Sequence, residues 1–193
     1  MFTCILFDFF DVIRTDGYKR WLEARDIELE GPYVTITERF DAGIITLEGF
    51  FEELAAIEGL DAKEIKAEQE TYSNINYGVL KIIDELHGPY KIGLVSNCGS
   101  EFLRGLLAEH DLDKYFDEII ISSEVGAIKP NPKIFEIAIE RIGVNADETI
   151  FIDDKSKYIA GAEQIGITGI HFPNFEGSTK LREDLIKLGI EFS

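Results

Sequence analysis

The chain has 193 residues, 45% of them hydrophobic, and a formal net charge of −18; it is long enough to bury a substantial core and too acidic for a nucleic-acid or anionic-membrane binder, which needs clustered Lys and Arg. Two cysteines do not make a secreted disulfide framework, the N-terminus lacks the basic flank of a signal peptide, and no uncharged apolar run approaches transmembrane length, so a cytoplasmic protein in a reducing compartment is expected. A small anionic ligand is compatible with this charge if the site supplies its own cation, a lysine or a metal ion.

The first predicted element is "CILFDF" (Cys4 to Phe9), a short, nearly continuous apolar run of the kind that forms a strand buried on both faces. It runs into "LFDFFDVI", where Asp8 ends the apolar stretch, Phe10 stands two residues on, and Asp11 follows. From Arg14 to Asn76 the chain shows helical spacing without a strand: a stretch around Trp21, then Leu47, Phe50, Phe51 and Leu54 after a possible cap at Thr46. The Gly31-Pro32 pair breaks this segment, and the residues around it carry no further assignment. Its length is too great for one crossover and predicts a small helical cap inserted after the first strand.

Further apolar runs follow at "KIGLVSN", "EIIISS" and "TIFIDD", and a weaker one at "TGIHF". Helical patterns lie between them. Ser100 is a predicted cap for a helix with Phe102, Leu103, Leu106 and Leu107, Asn131 and Pro132 are predicted N-cap and N1 of a helix ending before Gly143, and Ser156 opens another that stops before Gly166. The alternation predicts an α/β fold, a Rossmann-like parallel sheet with helices on both faces and right-handed crossovers. Residues 1–13 and 77–193 form its predicted core and 14–76 the cap.

Asp8, Ser96 and Asp153 each stand at the carboxyl end of a predicted strand, and Asp154 follows directly. In an open parallel sheet ligands bind beyond those ends, so residues distant in sequence can converge there. Any one of them alone reads as a polar residue that ends a strand; together they predict a site. Converging carboxylates repel one another unless their pKa values rise or a cation sits among them, and a donor set of oxygens alone suits a hard ion such as Mg2+. Lys129 in "GAIKPNP" offers a second positive charge.

In these motifs the chain resembles the haloacid dehalogenase-like hydrolase superfamily, over nearly its whole length and in the family's order: "LFDFFDVI", "LVSNCGS", "IKPNPKIF" and "FIDDKS". "FDAGIITLEGFFEEL" is similar to the cap segment of the small phosphatase-like branch. The resemblance implies a helical cap between the first two motifs and a hydrolase of small phosphorylated metabolites. It implies that Asp8 attacks phosphorus to form an aspartyl-phosphate, that Ser96 and the backbone after it, Asn97 included, hold a phosphoryl oxygen, and that Lys129 neutralises the phosphoryl charge. Asp8, the carbonyl of Phe10, Asp153 and Asp154 are the implied magnesium site.

One position departs from the family pattern. Its phosphatases usually carry an acid/base aspartate where this chain has Phe10, and a phenyl ring transfers no proton. Acid/base assistance is worth about a hundred- to ten-thousandfold, so a slow phosphatase is expected, or one confined to good leaving groups, with water or Asp11 swung inward in place of the missing acid. Two alternatives stand beside it: a 2-haloacid dehalogenase, which tolerates an aromatic residue there but not the Asp153-Asp154 pair, and a catalytically weak protein that binds a phospho-ligand. Trp21, Tyr33, Arg39, Phe40 and Arg14 are candidates for the pocket mouth, Arg39 first among them for a substrate anion. Cys98 reads as a small filler, and His87, His110 and His171 as ordinary surface or capping residues.

Overall fold

The computed structural model describes residues 1–173, 175 and 177–192. Short runs of four to six residues become the strands: β1 (Cys4–Phe7), β2 (Lys91–Ser96), β3 (Glu118–Ile121), β4 (Thr149–Asp153) and β5 (Thr168–His171). They pair in the order β3-β2-β1-β4-β5, every neighbour parallel, with Phe7 opposite Leu94 on one side and Ile152 on the other. The chain winds outward from β1 to β3 and then crosses back to β4. That reversal places the crevice beyond the carboxyl end of β1, the switch point of such a sheet.

Strand alternation divides the core into two layers. Ile5 and Phe7 join Ile92, Leu94, Ile150 and Ile152 on one face, whereas Cys4 and Leu6 join Val95 and Phe151 on the other. The first face is covered by α5 (Tyr77–Leu86), α6 (Ser100–Glu109) and α10 (Ser178–Lys187), the second by α8 (Pro132–Ile142) and α9 (Ser156–Glu163); α7 (Ser122–Val125) is a short turn of helix after β3. Helices on both faces explain why the strands read as unbroken apolar runs.

The helix signals hold in most places. Asn131 caps α8 by accepting from Lys133 N, Pro132 is its first residue, and Gly143 ends it with φ 76°. Ser100, however, is not the cap of α6. Gly99 holds that position in extended conformation, and the Ser100 hydroxyl inside the first turn donates to Glu124 instead (2.5 Å).

Between β1 and α5 lie α1 (Gly17–Glu23), α2 (Pro32–Asp41), α3 (Leu47–Glu58) and α4 (Ala62–Thr71), with no named strand among the described residues. Thr46 caps α3 as expected, and Pro32 turns the Gly31-Pro32 break into the start of α2. The chain enters and leaves this segment side by side: Asn76 N donates to Ile13 O (2.8 Å), Thr15 N donates to Asn74 O (3.0 Å), and Arg14 bridges Ile75. Trp21, Phe40, Phe50, Leu54 and Ile65 share one apolar cluster with the sheet face carrying Phe7 and Leu94. Among the described residues no helix is long and apolar enough to cross a membrane.

Candidate active site

Asp8 follows directly on β1, its N–H donating to Ile152 O (2.9 Å), so ladder geometry still fixes the backbone one residue past the strand. Ser96 and Asp153 end β2 and β4, and Lys129 comes from the connection between α7 and α8. The lysine is 2% exposed, with Nζ 2.8 Å from Asp8 Oδ1 and 2.7 Å from Asp153 Oδ2. The rings of Tyr158 and Phe151 stand 4.9 and 5.2 Å from the same nitrogen. An ammonium so enclosed is held by paired charge and aromatic faces in place of water.

Asn97 sets that geometry. Its Oδ1 accepts from Lys129 N (2.8 Å), and its Nδ2 donates to Lys129 O (3.0 Å) and Tyr158 Oη (3.3 Å). An amide engaged on both sides ties the loop after β2 to the loop bearing the lysine, and Asn97 also lines the cleft in which sequence placed it as a substrate contact. The Ser96 hydroxyl is fully buried and has no hydrogen-bond partner among the described residues.

The carboxylates behave as convergence requires. Burial pushes Asp8 up to about 6, with Lys129 pulling it down and Asp153 pushing it further up. Burial also raises Asp153 and Asp154 above the usual carboxylate range. For Lys129 burial acts against the charged form, but the charges of Asp153 and Asp8 outweigh it and hold the ammonium above its ordinary pKa. Lys129 pairs with Asp8 and Asp153, and Lys19 Nζ, 3.9 Å from Asp154 Oδ2, is shared with Asp11, which leaves the cluster short of positive charge.

A divalent hard cation fits that deficit. Asp8, Asp153 and Asp154 each offer an oxygen, all within 4.8 Å of one another, and Asp154 Oδ1 is buried without a partner. The Phe10 carbonyl accepts no backbone hydrogen bond among the described residues. An all-oxygen set with unspent lone pairs is the donor chemistry of magnesium.

Several other candidate residues lie elsewhere. Asp11, held at φ 57°, has its carboxylate occupied by Lys19 Nζ (2.7 Å), Arg20 (3.3 Å) and Asp16 N (3.1 Å), and it does not line the cleft. It braces a turn, so it is not a carboxylate free to swing inward. Arg39 lies outside the cleft and pairs with Glu53 (2.6 Å), because the helical turn at the end of α2 directs Phe40 and Asp41 inward instead. Trp21 is fully buried, donating to Glu68, and Tyr33 Oη contacts Glu58; neither reaches the cleft. Arg14 does reach it, buried and paired with Glu70 (2.7 Å). Burial drives the Cys98 thiol well above its normal pKa, which fits a filler and not a nucleophile.

Among the cleft residues missed by the sequence reading are Lys155, Gln69 and Asp41. Lys155, next to the acidic pair, faces the site, where Tyr158 and Asp154 overcome burial and keep it charged. Its adjacency to "FIDD" was a signal. Gln69 on α4 had none, nor did Asp41, which reaches the site only because the end of α2 docks on the core. Ser122 Oγ donates to Asp41 O (2.5 Å) and accepts from Cys98 N (2.9 Å), and Phe40 lies so close to Gly99 that a Cβ there would come within 2.4 Å of its ring. Burial pushes the Asp41 carboxyl up to about 7, opposed by Lys155 and Lys129 and reinforced by Asp16 and Asp8. No hydrogen bond or ion pair engages that carboxyl among the described residues. The whole cleft has about 900 Å3 of empty space, part of it open to solvent.

The chain is similar to known proteins in sequence and in fold. A family model described as haloacid dehalogenase-like hydrolase matches residues 45–172. The chain is 29% identical over 130 residues to the glyceraldehyde 3-phosphate phosphatase of Methanothermobacter thermautotrophicus, a match spanning 63% of this chain and 57% of that enzyme, so only about half of the relative's length is covered. It is 28% identical over 138 residues to the sesquiterpene phosphatase of Aspergillus oryzae, covering 69% of this chain and 70% of that one. Its fold matches a HAD family enzyme of Bacteroides thetaiotaomicron solved in complex with magnesium and inorganic phosphate, with a TM-score of 0.72 at 22% identity over 89% of this chain and 94% of that chain.

Proposed function

The chain belongs to the haloacid dehalogenase-like hydrolase family, and from that premise we propose that it hydrolyses small phosphate monoesters through an aspartyl-phosphate on Asp8. The observation that carries this reading is the Asp8–Lys129–Asp153 array at the carboxyl ends of β1 and β4, with Asp154 beside it. Residues 14–76 act as the cap, an assignment supported by the paired entry and exit of that segment.

Asp8 attacks phosphorus with one carboxylate oxygen while Lys129 holds the other and offsets the phosphoryl charge. The orphaned Ser96 hydroxyl donates to a phosphoryl oxygen, which supplies the partner it lacks. Asp8, Asp153, Asp154 and the Phe10 carbonyl would hold magnesium, which when bound supplies charge stabilisation for the transferring phosphoryl group. Magnesium should therefore raise the thermal midpoint of the wild type with the logarithm of its excess over Kd, and Asp153→Asn should lose most of that rise. An unchanged midpoint across a magnesium titration would remove the metal from this account.

Water must then attack the aspartyl-phosphate and give up a proton. With Phe10 in the usual position, Asp11 tied to Lys19 and Arg20, Asp16 accepting from Lys19 N and Glu70 paired with Arg14, Asp41 is the cleft carboxyl proposed for this step, and a base titrating near neutrality suits it. Asp41→Asn should leave phosphorylation of Asp8 by an activated aryl phosphate intact but slow breakdown of the phosphoenzyme by about a hundredfold. Rapid-quench kinetics separates the two steps, and equal breakdown rates would exclude Asp41.

Phe10→Asp is expected to raise turnover of alkyl phosphates, whose leaving oxygen needs a proton, by about a hundredfold. Unchanged steady-state rates with an alkyl phosphate would mean that a missing acid is not what limits the wild type. Phe10 alone would also suit a 2-haloacid dehalogenase, but Asp154 and its unpaired oxygen favour the phosphatase. Turnover of a 2-haloacid in excess chelator would reverse that preference.

A further inference from the structure

Away from the reactive carboxylates the cleft turns apolar. Phe10, Phe40, Phe50, Phe51, Phe102 and Leu47 line it. Phe10 stacks on Phe102 with centroids 6.2 Å apart and planes 12° from parallel, and Phe40 packs against both Phe102 and Phe50. A polyol entering such a wall would give up water at each hydroxyl without gaining a partner, whereas a flat apolar body gains both burial and ring contacts.

Polar groups also line the cleft, Arg14, Thr37, Lys66, Glu70 and Ser73 among them, and Gln69 differs from these in its amide. Gln69 is 8% exposed, lines the same cleft, and its side-chain nitrogen is buried with no hydrogen-bond partner among the described residues. A buried donor left unpaired is costly, and such groups call for an explanation. Its position is set by backbone contact: the Gln69 carbonyl lies so near Gly17 that a Cβ on that glycine would stand 2.5 Å away. The glycine lets α1 and α4 meet closely, so Gln69 is held at the wall without using its own amide. The charged neighbours Arg14 and Glu70 satisfy each other, whereas the amide nitrogen of Gln69 has no partner among the described residues.

Resting on the phosphatase reading, we propose that this cleft selects phosphate esters of a flat, apolar phenolic or enolic hydroxyl whose far end carries a hydrogen-bond acceptor for Gln69. The chemistry agrees with Phe10. As the bond from Asp8 to phosphorus forms, the ester oxygen–phosphorus bond breaks and its electron pair leaves on the aryl or enol oxygen, which takes its proton from solvent. An oxygen as acidic as a phenol, with a pKa near ~10, leaves without a proton donor, and an alkoxide does not. The residue that removes the acid is the same one that builds the aromatic wall.

The test is calorimetric binding to Asp8→Asn of aryl phosphates of one, two and three linked rings, each with and without a terminal ketone, beside glucose 6-phosphate, together with turnover of the same compounds by the wild type. Affinity should grow with the apolar body and exceed that for glucose 6-phosphate by about a hundredfold. At one length the ketone should add about tenfold, an increment lost when Gln69→Leu is introduced. Gln69→Met serves if the leucine variant does not fold, and the ketone increment with Gln69 intact decides the question without either. Tighter binding of glucose 6-phosphate, or no ketone increment at any length, overturns the proposed substrate class, and hydrolysis of glucose 6-phosphate would then leave the phosphatase reading standing. Aryl phosphates that bind in the predicted pattern but never label Asp8 in the wild type support the selectivity of the cleft and refute the phosphatase reading.

Discussion

Asp8→Asn should lower turnover of phosphate monoesters by about four orders of magnitude or more, the scale on which removal of a covalent nucleophile acts. The loss is expected to be chemical and not structural. An amide oxygen can still accept from Lys129 Nζ, 2.8 Å away in the wild type, and the substitution removes one of several acids whose mutual repulsion burial makes worse. The variant should thus unfold at a denaturant concentration equal to or above that of the wild type while binding substrate in the same cleft. Residual turnover within tenfold of the wild type would show that another group attacks phosphorus, and Asp8 would then be only a ligand.

Lys129→Met should damage both stability and activity. Its ammonium is buried between Asp8 and Asp153, and among the described residues no other cation pairs with Asp153, whose second oxygen accepts the Lys155 backbone N–H (2.8 Å). Removing one partner of a buried charge array leaves the others uncompensated, an effect of ~3–5 kcal/mol. Turnover should fall by about a hundred- to a thousandfold, as when one electrostatic stabiliser is lost from a reacting centre. Magnesium should restore more stability to this variant than to the wild type, since added positive charge meets a larger deficit. Equilibrium unfolding with and without the ion measures both effects, and a variant as stable as the wild type would contradict the reading of Lys129 as the counter-charge of the site.

The sheet and its carboxyl-end residues were legible because each signal was local. Buried parallel strands are apolar runs, and Asp8, Ser96 and Asp153 mark where those runs stop. Helix ends were legible where capping chemistry stood in adjacent residues, as at Asn131-Pro132. They shifted by one residue at Ser100, because Gly99 can take the extended cap conformation and Ser100 finds Glu124. The cap was legible as helical but not as a surface. Arg39 and Asp41 are two residues apart, and only the docking of α2 on Ser122 and Gly99 decides that one faces solvent and Glu53 while the other faces the cleft. Asp11 shows the same limit: sequence saw a spare acid, and the fold supplies Lys19 and Arg20 from α1 to occupy it. Gln69 is invisible to any local rule, since its interest lies in a partner it lacks in space.

The most direct test of the central claim is a rapid-quench reaction of the wild type with a phosphorus-labelled aryl phosphate and magnesium, followed by peptide mapping. A transient label is expected on the peptide containing Asp8, absent from Asp8→Asn and longer-lived in Asp41→Asn. Turnover without label on that peptide, or label that persists when Asp8 is Asn, would contradict the claim.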